Sequence, residues 1–78
     1  MPRYFFHLHN DVDARDDEGR ELPDARAARD AAEEDARQMA GESARNGHID
    51  RRHYVEVSDD AGNPLFRVTF GEVVTIIG

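Results

Sequence analysis

The chain has 78 residues, with ten arginines and no Lys against 17 Asp and Glu, no Cys, no Trp and 38% apolar residues. Such a chain holds one thin core, so a single domain over residues 1–78 is predicted, and a second core is excluded. A disulfide framework and thiolate chemistry are excluded too, and the longest apolar run, Val73-Val74-Thr75-Ile76-Ile77, falls far short of the roughly 20 residues that span a bilayer.

Arg3 to His9 is the first predicted element. Its aromatics favour a strand, with Tyr4, Phe6 and Leu8 on one face and Phe5, His7 and His9 on the other. Asn10 to Gly19 is polar and acidic and reads as a surface loop. A short strand over Arg20 to Leu22 returns antiparallel to the first.

The helix is the clearest element. Pro23 ends what precedes it and Asp24 is a good N-cap. Ala25, Ala28, Ala32, Ala36, Met39, Ala40 and Ser43 then share one stripe at 3.6-residue spacing. Arg26, Asp30, Glu34, Arg37 and Arg45 lie opposite, and Glu33 with Arg37 makes an i,i+4 pair worth roughly 0.2–0.5 kcal/mol. Asn46-Gly47 supplies a left-handed stop, so the helix is predicted over 25–45. An alanine stripe buries little area, at about 25 cal/mol per Å², yet permits close approach. Strand aromatics must fill the volume beneath it.

The last third reads as a hairpin. Arg52 to Ser58 places Val55 and Val57 on one side and Tyr54, Glu56 and Ser58 on the other. Asp59-Asp60-Ala61-Gly62-Asn63 is the turn, and Leu65 to Phe70 alternates again. Gly71 to Ile77 is compatible with a further strand or a short helical turn. The predicted fold class is α+β: an antiparallel sheet of three to four strands with one long helix on one face, in the order β-β-α-β-β.

Together these segments resemble a family of short bacterial proteins of unknown function, found in soil- and plant-associated proteobacteria. The resemblance is carried by Pro2-Arg3-Tyr4-Phe5-Phe6-His7-Leu8, by Asp17-Glu18-Gly19, and by Glu21-Leu22-Pro23-Asp24 entering the helix. Val55-Glu56-Val57 and the tail around Phe70, Val73, Val74 and Ile76 complete it. It implies no activity, ligand or catalytic residue.

The net charge of −7 sits wholly in residues 10–35. That half repels a phosphate backbone, so nucleic-acid binding is not expected. His7-Leu8-His9 puts two imidazoles on one strand face, the weak candidates for a metal, but no His/Cys spacing supports a closed shell, and no cofactor is expected. The acidic stretch from Asp11 departs from a calcium loop, with Asp16 at the glycine position and Leu22 at the last ligand. Arg51-Arg52-His53 is the one basic cluster, read as a helix end offsetting the acidic half. No phosphate loop or nucleophile–base pair is visible, so no enzyme is expected.

One helix covers one sheet face. Phe5, His7, Tyr54 and Leu65 then point away from it, an open surface that is either covered by the tail or used for interaction. The expectation is a soluble cytoplasmic module for self-association or for a protein partner. The alternatives are an antitoxin-like regulator binding a basic macromolecule through its acidic helix and loop, and a metal-binding protein using His7 and His9.

Overall fold

The computed structural model describes residues 1–10 and 13–74. Among these residues seven elements follow one another: β1 (Arg3–His9), β2 (Asp13–Ala14), β3 (Arg20–Glu21), α1 (Ala25–Arg45), β4 (Tyr54–Ser58), β5 (Pro64–Thr69) and α2 (Phe70–Val73). The sheet is antiparallel and runs β2-β1-β4-β5, with β3 also paired to β1. The fold is α+β, as the patterning predicts, with five strands rather than three or four.

The extra strand corrects the reading of Asn10 to Gly19 as a plain loop. Leu8 pairs with Ala14, and Tyr4 pairs with Arg20. β2 and β3 are therefore the two ends of one interrupted strand beside β1, and Arg15 to Gly19 bulge out opposite Phe5 to His7. Five backbone positions against three cannot stay in a flat ladder, so the segment lifts off the sheet.

α1 occupies the predicted span. The Asp24 carboxylate accepts from the Ala27 N–H at 2.8 Å, which caps the first turn. At the other end Gly47 takes φ +105°. Its N–H donates to Ala44 O and the His48 N–H donates to Ser43 O, the paired bonds of a Schellman stop. Ala28, Ala32, Ala36 and Ala40 are wholly buried, whereas Ala25 stays exposed and Met39 half-buried. Steps of four residues incline that row by about 26° to the helix axis, so methyls meet the twisted sheet along one ridge. The surface pairing also differs from expectation: Glu33 meets Arg29 at 3.5 Å and Arg37 meets Glu34 at 3.0 Å.

Beneath the ridge lie Tyr4, Phe6, Val55, Val57, Val68 and Phe70, with Leu8, Phe66, Val73 and Val74 packed against them. Phe70 is the exception to its expected place. It starts α2 instead of ending β5, and its N–H donates to His53 O at 2.7 Å. Residues 70–74 thus join the helix-side core, and α2 is tied to α1 through Arg29 and Glu72. They do not cover the reverse face, while residues 75–77 lie outside the described residues. β5 forms the sheet edge. It starts at Pro64 and carries one extra residue, Leu65, because the register moves from Val57↔Phe66 to Ser58↔Pro64. Among the described residues no helix is long and apolar enough to cross a membrane.

Candidate functional site

The sheet face away from α1 is built by alternation. β1 contributes Phe5, His7 and His9, and β4 sets Ser58, Glu56 and Tyr54 directly opposite them. Arg67 and Thr69 of β5 stand opposite Glu56 and Tyr54. This face is therefore mixed in polarity rather than apolar. At one end His9 stacks on Tyr54, with ring centroids 4.6 Å apart, and the Arg67 guanidinium lies 4.8 Å from the Tyr54 centroid. The His9 ring also meets the Asp13 carboxylate at 3.2 Å.

The other end is organised by Asp16. Its Oδ2 accepts from the Phe6 N–H at 3.1 Å, taking a donor that β2 and β3 leave without a strand partner. Its Oδ1 accepts from the N–H groups of Glu18 and Gly19. Burial pushes the Asp16 carboxyl up, but the donors from Gly19, Phe6 and Glu18 outweigh it and hold the group below its ordinary value. The same residue donates its own N–H to His7 Nδ1 at 3.0 Å. Gly19 closes the bulge at φ +70°, with the space its Cβ would take filled by Arg3 Cγ, Tyr4 O and Phe5 Cε2 at 2.9–3.0 Å.

His7 is only 6% exposed and Ser58 only 5%. His7 Nε2 lies 3.0 Å from Ser58 Oγ. Because Nδ1 accepts from Asp16, Nε2 carries the ring hydrogen and donates to Ser58. A serine, a histidine and an aspartate stand in a row, but with the opposite polarity to a nucleophilic triad. There the carboxylate accepts from Nδ1–H and Nε2 takes the serine proton. Here Nε2 already holds a hydrogen.

Around this row lies a cleft of about 230 Å³, lined by Phe5, His7 and Ser58 from the sheet, Arg15, Asp16 and Asp17 from the bulge, and Asp59, Asp60 and Gly62 from the hairpin turn. Asp59 Oδ1 accepts from the N–H groups of Ala61 and Asn63. The Asn63 backbone donor first, despite partial burial, holds the Asp59 carboxyl below its ordinary value. Asp17 and Asp60 are exposed on the rim.

Of the four residues expected to form one surface, Phe5 and His7 line the same cleft, whereas Tyr54 and Leu65 lie elsewhere. Phe5 is half-buried on the cleft wall, and Tyr54 is half-buried in the stack at the far end. Leu65 is 44% exposed but lies at the β5 bulge beside Glu56, Pro64, Phe66 and Arg67. His7 is the correction, since the bulge seals it from solvent and both ring nitrogens are engaged. As metal candidates, His7 and His9 do not converge: one faces Ser58 and Asp16, the other Asp13 and Tyr54. Among the described residues no three His, Cys, Asp or Glu side chains are grouped as a metal ion requires. The basic cluster is largely spent locally. Arg52 grips Asp50 with its Nε, its Nη2 and its backbone N–H, which holds the Asp50 carboxyl far below the usual range.

The resemblance to a family of unknown function runs over nearly the whole chain, and a family model matches residues 3–71, the stretch that contains every element of the site. The chain belongs to the family described as domain of unknown function DUF6894. No curated protein and no solved structure matches it. In this DUF6894 domain, sequence reasoning missed two residues. Ser58 and His7 are 51 positions apart, so nothing local pairs them. Asp16 left a fainter mark, an Asp three residues before a Gly, the pattern of a side chain that caps its own turn.

Proposed function

We propose that the domain is a non-catalytic protein-interaction module that works through the face of its sheet opposite α1. The observation that carries this reading is the cleft there, where an aromatic wall at Phe5 meets a rim with four aspartates against one arginine. The tautomer of His7 supports the non-catalytic part, because Nε2–H cannot act as base toward Ser58. Charge supports a different protein as partner over a second copy. Two chains of net charge −7 repel each other, whereas a basic partner is drawn to residues 10–35. A cytoplasmic, bacterial setting belongs to the same proposal and follows from the absence of Cys and from the resemblance.

A photo-crosslinking residue in place of Phe5, in cells of the source organism, tests the reading. The expected product is one basic protein, with no product from the same probe at Glu34 on the outer face of α1. Self-adducts at Phe5, matched by dimer in sedimentation equilibrium, would favour the self-association reading instead. Equal labelling from both positions would sink the proposal.

A further inference from the structure

The buried titratable group of the reverse face is His7, and its partners suit only one of its charge states. Nδ1 accepts from the Asp16 backbone N–H at 3.0 Å, while Nε2 stands 3.0 Å from Ser58 Oγ. A backbone N–H can only donate, so a proton added at Nδ1 would point at another hydrogen. The bond from Asp16 N–H and a charged His7 ring therefore exclude each other. Asp16 also carries an acceptor, its carboxylate, but Oδ2 takes the Phe6 N–H and Oδ1 takes those of Glu18 and Gly19. Glu18 and Gly19 belong to the bulge and travel with Asp16. Only the Phe6 N–H belongs to β1, so a shift of the bulge exchanges that one donor for Nδ1–H.

The charges facing His7 favour that exchange. Glu56 of β4 stands directly opposite it, and Asp16 and Asp17 of the bulge and Asp59 and Asp60 of the hairpin turn line the same cleft. Arg15 of the bulge opposes them, as does His9 of β1 when charged, and Arg67 of β5 stands beyond Glu56. α1 packs on the other face. Burial disfavours the cation, so the ring is charged only where a carboxylate meets its new hydrogen. We propose that the bulge over β1 is a proton-operated switch. With His7 neutral, the bulge is pinned by the bonds from Asp16 N–H to Nδ1 and from Phe6 N–H to Oδ2. When Nδ1 takes a proton from solvent, both are given up for one ion pair between the imidazolium and the Asp16 carboxylate. The Phe6 N–H, which β2 and β3 leave without a strand partner, then opens at the margin of β1, and the segment backing Phe5 loosens. This goes beyond the reading of the reverse face as an interaction surface and occurs within the free chain, so it does not depend on a partner.

The 15N-labelled chain, titrated from about pH 7.5 to about pH 5 and followed by NMR, tests the switch in the range where histidine charges and most carboxylates stay ionised. The His7 ring nitrogens are expected to report Nε2–H alone at the upper end and a second proton at the lower. The Asp16 and Phe6 amides should shift along the same curve and, corrected for the intrinsic effect of pH, exchange at least about tenfold faster, while Val57 and Val68 keep their protection. His7→Gln keeps a donor and an acceptor on a neutral side chain and is expected to abolish the response at both amides. If that variant does not fold, the parent titration decides alone. A ring that stays neutral throughout, or one that charges while the Asp16 and Phe6 amides do not move, overturns the proposal. So does a response that persists in a folded His7→Gln. If the titration succeeds and the Phe5 crosslink fails, the switch stands and the interaction surface falls.

Discussion

Asp16 donates its backbone N–H to Nδ1 of His7 at 3.0 Å, and that bond decides which imidazole nitrogen holds the hydrogen. Chemistry at Ser58 follows from it. A serine that accepts from Nε2–H has no base to remove its proton, so it is not activated. A serine-directed fluorophosphonate is expected to leave Ser58 unmodified under native conditions, as read by intact mass. A stoichiometric adduct at Ser58 would show that the ring adopts the other tautomer.

The same hydrogen-bond row predicts an asymmetry in stability. Ser58→Ala leaves the buried His7 Nε2–H without an acceptor, at a cost of about 1–3 kcal/mol in urea unfolding. Ser43→Ala removes a half-buried hydroxyl of α1 outside this row and is expected to change stability by less than about 0.5 kcal/mol. Equal effects would mean that the Ser58–His7 bond contributes nothing.

Glycine replacements separate two reasons for a left-handed residue. Gly47 has open space around it, so Gly47→Ala meets only the backbone penalty, roughly 1 kcal/mol. Gly19→Ala meets the same penalty and drives a Cβ into Tyr4 O and Arg3 Cγ. Its loss in a denaturant series is expected to be at least about twice as large. If the two variants melt together, the bulge gives way without resistance.

Acid sensitivity is expected to trace in part to Asp16. Its folded-state pKa lies below the unfolded value, so its contribution is complete above the ordinary carboxylate range and is lost as pH falls through the lowered value. Asp16→Asn should be less stable than the parent at pH 7, and the gap should close as the pH falls below about 4. A gap that stays constant down to pH 2 would show that the carboxylate charge is irrelevant to the loop.

The alanine ridge predicts intolerance to size. Ala32→Leu or Ala36→Leu places a larger side chain at a fully buried position over the strands and should cost about 1–3 kcal/mol. Met39→Leu, on a half-buried position beside the ridge, should cost less than about 1.5 kcal/mol.

Much of this architecture is legible from local pattern. α1 announces itself through Pro23-Asp24, the alanine spacing and Gly47, because caps and periodicity act within a few residues. β4 and β5 alternate cleanly for the same reason. Phe70 reads as a strand residue because its alternation is right; only the bond from its N–H to His53 O, a tertiary fact, turns the chain into α2 there. The candidate site is less legible still. His7, Asp16 and Ser58 come from three segments brought together by sheet register, and the bulge that hides His7 exists because five residues face three.

The outer strand of the sheet opens with an imino acid at Pro64, carries a supernumerary residue at Leu65 and presents the guanidinium of Arg67. Each of these spoils the straight, repetitive backbone template on which further chains would stack into cross-β fibrils. Despite its Val- and Phe-rich strands, a concentrated solution of this protein should therefore resist seeding. A lineage that straightened that margin would expose a template on which copies of the chain could stack.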